Sequence, residues 1–88
     1  MFVYVLTSTY AYVDSGDCES CVVGVYESIG DALEQMEQEI KDARTDFKKY
    51  DTEEDDYVEG DMSWSIWEKG KYISHHCDIE ITECKVKR

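Results

Sequence analysis

The fold depends on residues 29–50, which read IGDALEQMEQEIKDARTDFKKY. The apolar residues of this stretch recur at alternating intervals of four and three positions: Ile29, Leu33, Met36, Ile40, Ala43, Phe47 and Tyr50. Because an α-helix has about 3.6 residues per turn, this spacing places all of these side chains on one face. The pattern predicts a helix over residues 29–49 that packs on a sheet and buries four of them: Leu33, Met36, Ile40 and Phe47.

Both ends of this helix carry terminus signals. Ser28 precedes the first apolar residue, and Ser28 with Asp31 resembles a capping box. Acids occupy the first turns, whereas Arg44, Lys48 and Lys49 occupy the last ones, as the helix dipole favours. The same spacing is found in coiled-coil seams, but the strands elsewhere in the chain need a cover, which favours packing on a sheet.

A hairpin is predicted before the helix. Residues 2–13 read FVYVLTSTYAYV and residues 21–27 read CVVGVYE, and both are rich in β-branched and aromatic side chains. The polar residues 14–20 connect them through a short loop that carries Gly16. Such a short connection predicts an antiparallel pair.

Two more strands are predicted after the helix. Residues 51–61 read DTEEDDYVEGD, which predicts a charged and mobile connection. Apolar Met62, Trp64 and Ile66 then alternate with serines, as in a half-buried strand, and residues 68–71 form a turn. The last strand region spans residues 72–86. A β-bulge near residues 82–83 would bring four side chains of both parities to one face: Ile79, Ile81, Cys84 and Val86.

The predicted order is therefore β-β-α-β-β in one domain of residues 1–88. The simplest packing for this order is an α+β fold, in which one long helix lies across one face of a four-stranded antiparallel sheet.

The charge of the chain is strongly acidic and unevenly distributed. Twenty-one acids oppose nine Lys and Arg, for a net charge of −12. No base precedes Lys41, and residues 51–68 contain eight acids and no base. Such a field repels nucleic acids and anionic membranes and attracts basic surfaces, although it also serves solubility.

The densest run of acids is residues 51–61, where seven of eleven residues are acidic: Asp51, Glu53, Glu54, Asp55, Asp56, Glu59 and Asp61. An EF-hand is excluded, because Asp56 stands at the position of the loop glycine and Met62 at that of the bidentate Glu. Acids along the helix alone are too sparse to imitate a duplex. Together with residues 51–61 they approach the charge density of a single nucleic-acid strand.

Zinc binding is the alternative that the cysteines leave open. Cys18 and Cys21 have the C-x2-C spacing of a zinc half-site, but no second half with regular spacing follows. We therefore predict no cofactor and no bound metal. His75 and His76 are adjacent, so they point to opposite faces of a strand, and no nucleophile elbow or phosphate loop is present. An enzyme is not expected.

The tryptophans differ in parity, because Trp64 and Trp67 are three residues apart. One of them, Trp67, is expected to face away from the helix, where a Trp among acids would form a binding hot spot. No basic leader precedes the short apolar run at residues 2–6, and no stretch approaches a membrane span. A cytoplasmic protein with reduced cysteines is expected.

Three segments resemble small uncharacterised proteins of phages and mobile elements of Gram-positive bacteria: YVLTSTY at 4–10, VVGVYESIGDALEQM at 22–36 and WEKGKY at 67–72. The resemblance implies an inhibitor of host defence of the anti-CRISPR kind, acting in the host cytoplasm.

The resulting hypothesis is an acidic, non-enzymatic inhibitor whose target is a basic, nucleic-acid-handling host protein, with no direct binding to nucleic acid or membrane. Its binding residues are expected to be the seven acids of residues 51–61 together with Glu34, Glu37 and Trp67. The alternative is a zinc-stabilised interaction module that uses Cys18 and Cys21.

Overall fold

The computed structural model describes residues 1–12, 17–58, 60–70 and 75–86. Its elements, in chain order, are β1 (Phe2–Tyr12), β2 (Asp17–Tyr26), α1 (Ile29–Asp46), β3 (Thr52–Glu54), β4 (Ser63–Glu68) and β5 (His76–Lys85). The strands form one sheet in the order β2-β1-β5-β4-β3, and each described pairing is antiparallel. The α+β class is confirmed. The predicted four-stranded sheet is corrected to five strands within the described residues.

The additional strand, β3, lies where a mobile connection was predicted. Thr52 pairs with Glu68 and Glu54 with Ile66, and the pairing continues where the Asp55 N–H donates to the Ser65 carbonyl at 2.9 Å. The composition of this segment concealed the strand, because acids are depleted in strands in general. At the edge of a sheet, however, they stay in water and discourage pairing with another chain.

The first hairpin forms as predicted, with different bounds. Strand β2 begins at Asp17 instead of residue 21, so Asp17–Ser20 is paired with β1 and not part of the loop. Residues 13–16 lie outside the described residues. The pairing of β1 and β2 shifts by one residue between Leu6 and Thr7, which is a β-bulge.

The bulge predicted in the last strand is wrong. The pairing of β1 with β5 runs without a shift from Phe2 opposite Lys85 to Ala11 opposite His76. Because side chains alternate between the two faces along this strand, Ile81 lies on the helix side and Cys84 lies on the other side, where it is half-buried. The predicted start of this strand, at residues 72–74, lies outside the described part of the chain.

Helix α1 ends at Asp46, three residues before the predicted end at residue 49. Phe47 is the C-cap, and its N–H donates to the Ala43 carbonyl at 3.0 Å. The Phe47 ring is buried in the core at the point where the helix ends. The expected capping box is not formed. Ser28 has the extended backbone of an N-cap, but its side chain makes no capping hydrogen bond.

The core lies between α1 and one face of the sheet: Leu6, Ala32, Met36, Ile40, Ala43, Phe47, Trp64, Ile66, Cys77, Ile79 and Ile81. Three predicted core residues of the helix, Met36, Ile40 and Phe47, are buried there. Leu33 is only half-buried, which corrects the prediction, because Ala32 faces the sheet in its place. In the described residues, no helix combines the length and the apolar character needed to cross a bilayer.

Candidate partner-binding surface

Five acids form the outer border of the sheet and are called the acidic edge: Asp51, Glu53, Glu54, Asp55 and Asp56. All five side chains are exposed. The backbone of this edge is hydrogen-bonded at Asp55. The Asp55 N–H donates to the Ser65 carbonyl, and the Asp55 carbonyl accepts a hydrogen bond from the Trp64 Nε1 at 3.0 Å. The backbone of Glu53, Glu54 and Asp55 is therefore paired with β4, and their exposed side chains project from it into water.

The acids of this edge point to different sides. Glu53 pairs across the sheet with Trp67, so its side chain stands on the face away from α1. Glu54 points to the helix side, where its carboxylate accepts hydrogen bonds from Arg44. Within the described part of the chain, no ion pair joins Glu53, Asp55 or Asp56 to a base. Asp51 is likewise joined to no base among the described residues, so four of the five acids of the edge keep their full charge and Glu54 is partly neutralised.

Asp61 has a local role in the turn that follows. Its carboxylate accepts a hydrogen bond from the Val58 N–H, and its own N–H donates to the Val58 carbonyl, both at 2.9 Å. Gly60 has a φ of +99°, a conformation that favours glycine. Asp61 is half-buried and closes this turn, so it is less suited to binding than the exposed acids. Glu59, also predicted to bind, lies outside the described residues.

The helix acids Glu34 and Glu37 are exposed but do not join the acidic edge. Glu37 lines a groove of about 170 Å³ between α1 and Tyr57, and Lys41 and Arg44 line the same groove. Arg44 also donates hydrogen bonds to Glu54 of β3. Positive charge on the helix therefore lies beside the acidic edge.

Trp67 faces away from the helix, as its parity predicted. Trp64 is only 1% exposed and belongs to the core, whereas Trp67 is half-buried on the opposite face between Glu53 and His76. An aromatic ring flanked by a carboxylate is a suitable anchor for a basic partner, because it combines apolar contact with a cation–π interaction.

Sequence reasoning missed two acids on the central strand. Asp78 and Glu80 of β5 are exposed on the same face as Trp67, opposite Ser65 and Ser63 respectively. Their alternation with buried neighbours was a readable signal.

The described residues contain no group of three or more His, Cys, Asp or Glu placed to hold a metal. Cys21 is exposed, with its Sγ 3.5 Å from the Ser8 Oγ. The side chain of Cys18 lies outside the description, so folding without zinc stays a prediction.

Two titratable side chains, those of His75 and Cys77, are buried. His75 is 5% exposed; its ring stacks on Tyr50 at 4.7 Å, and its Nδ1 lies 3.6 Å from Glu68. Burial raises the pKa of Cys77 to about 11, despite a hydrogen bond with Tyr10 that lowers it. A thiol that stays protonated at neutral pH is a poor nucleophile.

Comparisons with protein-family models, with curated proteins and with solved structures returned no match. The fold and its surface define a small acidic α+β protein in which one helix covers one face of a five-stranded sheet, among the described residues, and acids line one border. The resemblance to phage and mobile-element proteins stays a prediction.

Proposed function

We propose that this protein is a non-enzymatic inhibitor that occupies a basic, nucleic-acid-binding surface of a host defence protein. In this proposal it is encoded by a phage or mobile element and acts in the host cytoplasm. The observation that supports it most is the acidic edge, where the exposed carboxylates of Glu53 and Asp55 stand on hydrogen-bonded backbone and that of Asp56 follows directly after them. A surface that holds phosphates with Lys and Arg is the natural complement of such a border.

Preorganisation distinguishes this border from an acidic tail. A mobile segment loses conformational freedom when it binds, at about 1–2 kcal/mol per residue that becomes fixed. Residues 52–55 are already paired with β4, so less of this cost remains for binding. The charges can then act both on the rate of encounter and on the bound complex.

Trp67 gives the surface an anchor that charge alone lacks. Exposed ion pairs contribute about 0–1 kcal/mol each, so several acids by themselves form a weak and salt-sensitive complex. A half-buried indole beside Glu53 adds apolar contact area at the place where a basic side chain would arrive. In this proposal the acids accelerate the encounter with the target, and Trp67 contributes much of the binding affinity.

Competition with nucleic acid tests the proposal. The protein is immobilised, host proteins are captured from lysate, and each purified candidate is titrated against its own labelled oligonucleotide with and without the inhibitor. We expect a captured protein to lose its oligonucleotide as the inhibitor is added, and to leave the inhibitor as salt rises from 0.05 to 0.5 M. Capture of proteins that bind no nucleic acid, or a complex in which protein and oligonucleotide are bound together, would contradict it.

A further inference from the structure

The face of the sheet that points away from α1 is covered by no helix or strand of the described residues, and we name it the open face. Strand pairing arranges its side chains in rows across the strands. The first row contains Glu53, Trp67 and His76. Acids, hydroxyls and valines occupy the rows that follow, so the chemistry of the face changes along the strands.

The middle rows centre on two carboxylates. Asp78 lies between Ser65 of β4 and Thr9 of β1, and Glu80 lies between Ser63 and Thr7. These side chains line a depression of about 250 Å³. The Ser65 hydroxyl forms a hydrogen bond with one oxygen of Asp78, and the other oxygen lies 3.6 Å from the His76 Nε2. Both acids are exposed, and neither is paired with a Lys or Arg within the described residues.

Two apolar side chains of this face stand in water. Val22 and Val25 of β2 are 61% and 59% exposed. Val22 pairs with Thr7 and so lies in the row of Glu80, whereas Val25 pairs with Val5 in the next row. A cluster of exposed β-branched side chains next to a pair of carboxylates suits a partner that presents a basic part followed by an aliphatic part.

A second copy of this chain is a poor occupant of the open face. Two copies with a net charge of −12 each repel one another. A two-fold interface brings the same surface of both copies together, which would set Asp78 and Glu80 near their own counterparts. Charge complementarity selects a basic occupant instead.

We propose that the open face docks an extended basic segment of the target protein. This inference rests on the proposed function and adds to it the kind of segment that the target protein presents. Asp78 and Glu80 are two residues apart on one strand, so their side chains repeat at about 6.6–6.8 Å. Arg or Lys side chains at positions i and i+2 of an extended segment repeat at the same distance. Aliphatic side chains further along that segment then lie over the row that contains Val5 and Val25.

A peptide probe tests this directly. The probe is the labelled peptide Val-Thr-Val-Ser-Arg-Ser-Arg-Ser, blocked at both ends, in which valines and arginines alternate with small polar residues. The comparison probe has the same composition with its arginines adjacent and its valines adjacent. The protein variant is D78N/E80Q, which keeps an oxygen for the Ser65 hydrogen bond. The charge-matched control is E27Q/E83Q, at exposed positions outside the open face.

We expect the native protein and the E27Q/E83Q control to bind the alternating peptide with similar affinity, and D78N/E80Q to bind it about tenfold more weakly, since it loses two exposed ion pairs with the arginines. The adjacent-arginine peptide should bind more weakly than the alternating one. Unchanged affinity in D78N/E80Q, no binding by the native protein, or dimerisation through the open face in sedimentation would overturn the inference.

The variant E53Q/D55N/D56N separates the two proposals. If it loses peptide binding while D78N/E80Q retains it, the acidic edge and not the open face holds the segment, and the proposed function stands without this inference. If D78N/E80Q alone loses peptide binding, the inference stands whether or not oligonucleotide competition is observed. Thermal melts of each variant confirm that the fold is retained.

Discussion

The guanidinium group of Arg44, on α1, holds both carboxylate oxygens of Glu54, on β3. The Arg44 Nε lies 2.9 Å from Oε1 and 3.1 Å from Oε2 of Glu54, and Nη2 lies 2.5 Å from Oε1. The Arg44 Cζ also lies 5.5 Å from the centroid of the Trp64 ring. Arg44 thus ties the edge strand to the helix and contacts the largest core side chain.

Removing either member of this pair should have small and unequal effects. The two side chains are 45% and 35% exposed, so water screens the ion pair, and E54Q should lower the free energy of unfolding by less than about 1 kcal/mol. R44A should cost more, because it also loses the contact with Trp64. Urea unfolding measures both. An R44A effect equal to or smaller than that of E54Q would mean that the Trp64 contact contributes nothing.

The packing of the helix predicts a graded response along its apolar stripe. Ile40 is 2% exposed, so I40A should cost about 2–5 kcal/mol of unfolding free energy. Leu33 is half-buried, and L33A should cost clearly less. Urea melts of both variants provide the comparison. Equal costs would show that Leu33 is a full core residue, as its place in the stripe had suggested.

Alkaline pH should destabilise the protein through two neighbouring groups. Burial raises the pKa of Cys77 from its ordinary 9.0 to about 11, and burial together with the neighbouring Cys77 raises the pKa of Tyr10 above its ordinary 10.0. The folded state therefore holds these protons more tightly than the unfolded state. Their contribution is complete below pH 9 and is lost as the pH rises toward the folded pKa values.

The free energy of unfolding, measured in urea from pH 7 to 11, should be level up to about pH 9 and then fall. In C77A the fall should start nearer pH 10, because only Tyr10 remains. A level profile through pH 11 in the native protein, or identical profiles for both proteins, would rule out this explanation.

Periodicity predicted the parts of the fold that are buried on one side. The stripe through Met36 and Ile40 and the alternation of Trp64 and Ile66 both give correct faces, because burial selects apolar side chains at the repeat of the element. Thr52–Glu54 could not be recognised in the same way. It is an edge strand that gains its order from backbone pairing with β4, and pairing leaves little signal in side-chain composition.

The sequence predicts which acids the candidate surface contains, but it does not predict how they are arranged in space. The acids of residues 51–61 are visible in the sequence, but the contact of Glu54 with Arg44 depends on how α1 crosses the sheet. That contact partly neutralises Glu54, whereas Asp51, Glu53, Asp55 and Asp56 make no ion pair among the described residues. Asp78 and Glu80 come to lie near Trp67 only when β4 and β5 pair in the observed register.

The acidic edge is tested most directly by the association rate with the captured target at low salt. The variant E53Q/D55N/D56N is compared with E19Q/E27Q/E83Q, which removes the same number of charges from exposed positions elsewhere. We predict that the first variant associates about tenfold more slowly than the native protein and the second only slightly so, with both melting temperatures nearly unchanged. The difference should shrink as salt rises, because the Debye length falls from ~30 Å at 0.01 M to ~8 Å near 0.15 M. Equal slowing in the two variants, or no slowing in the first, would contradict a binding role for this edge.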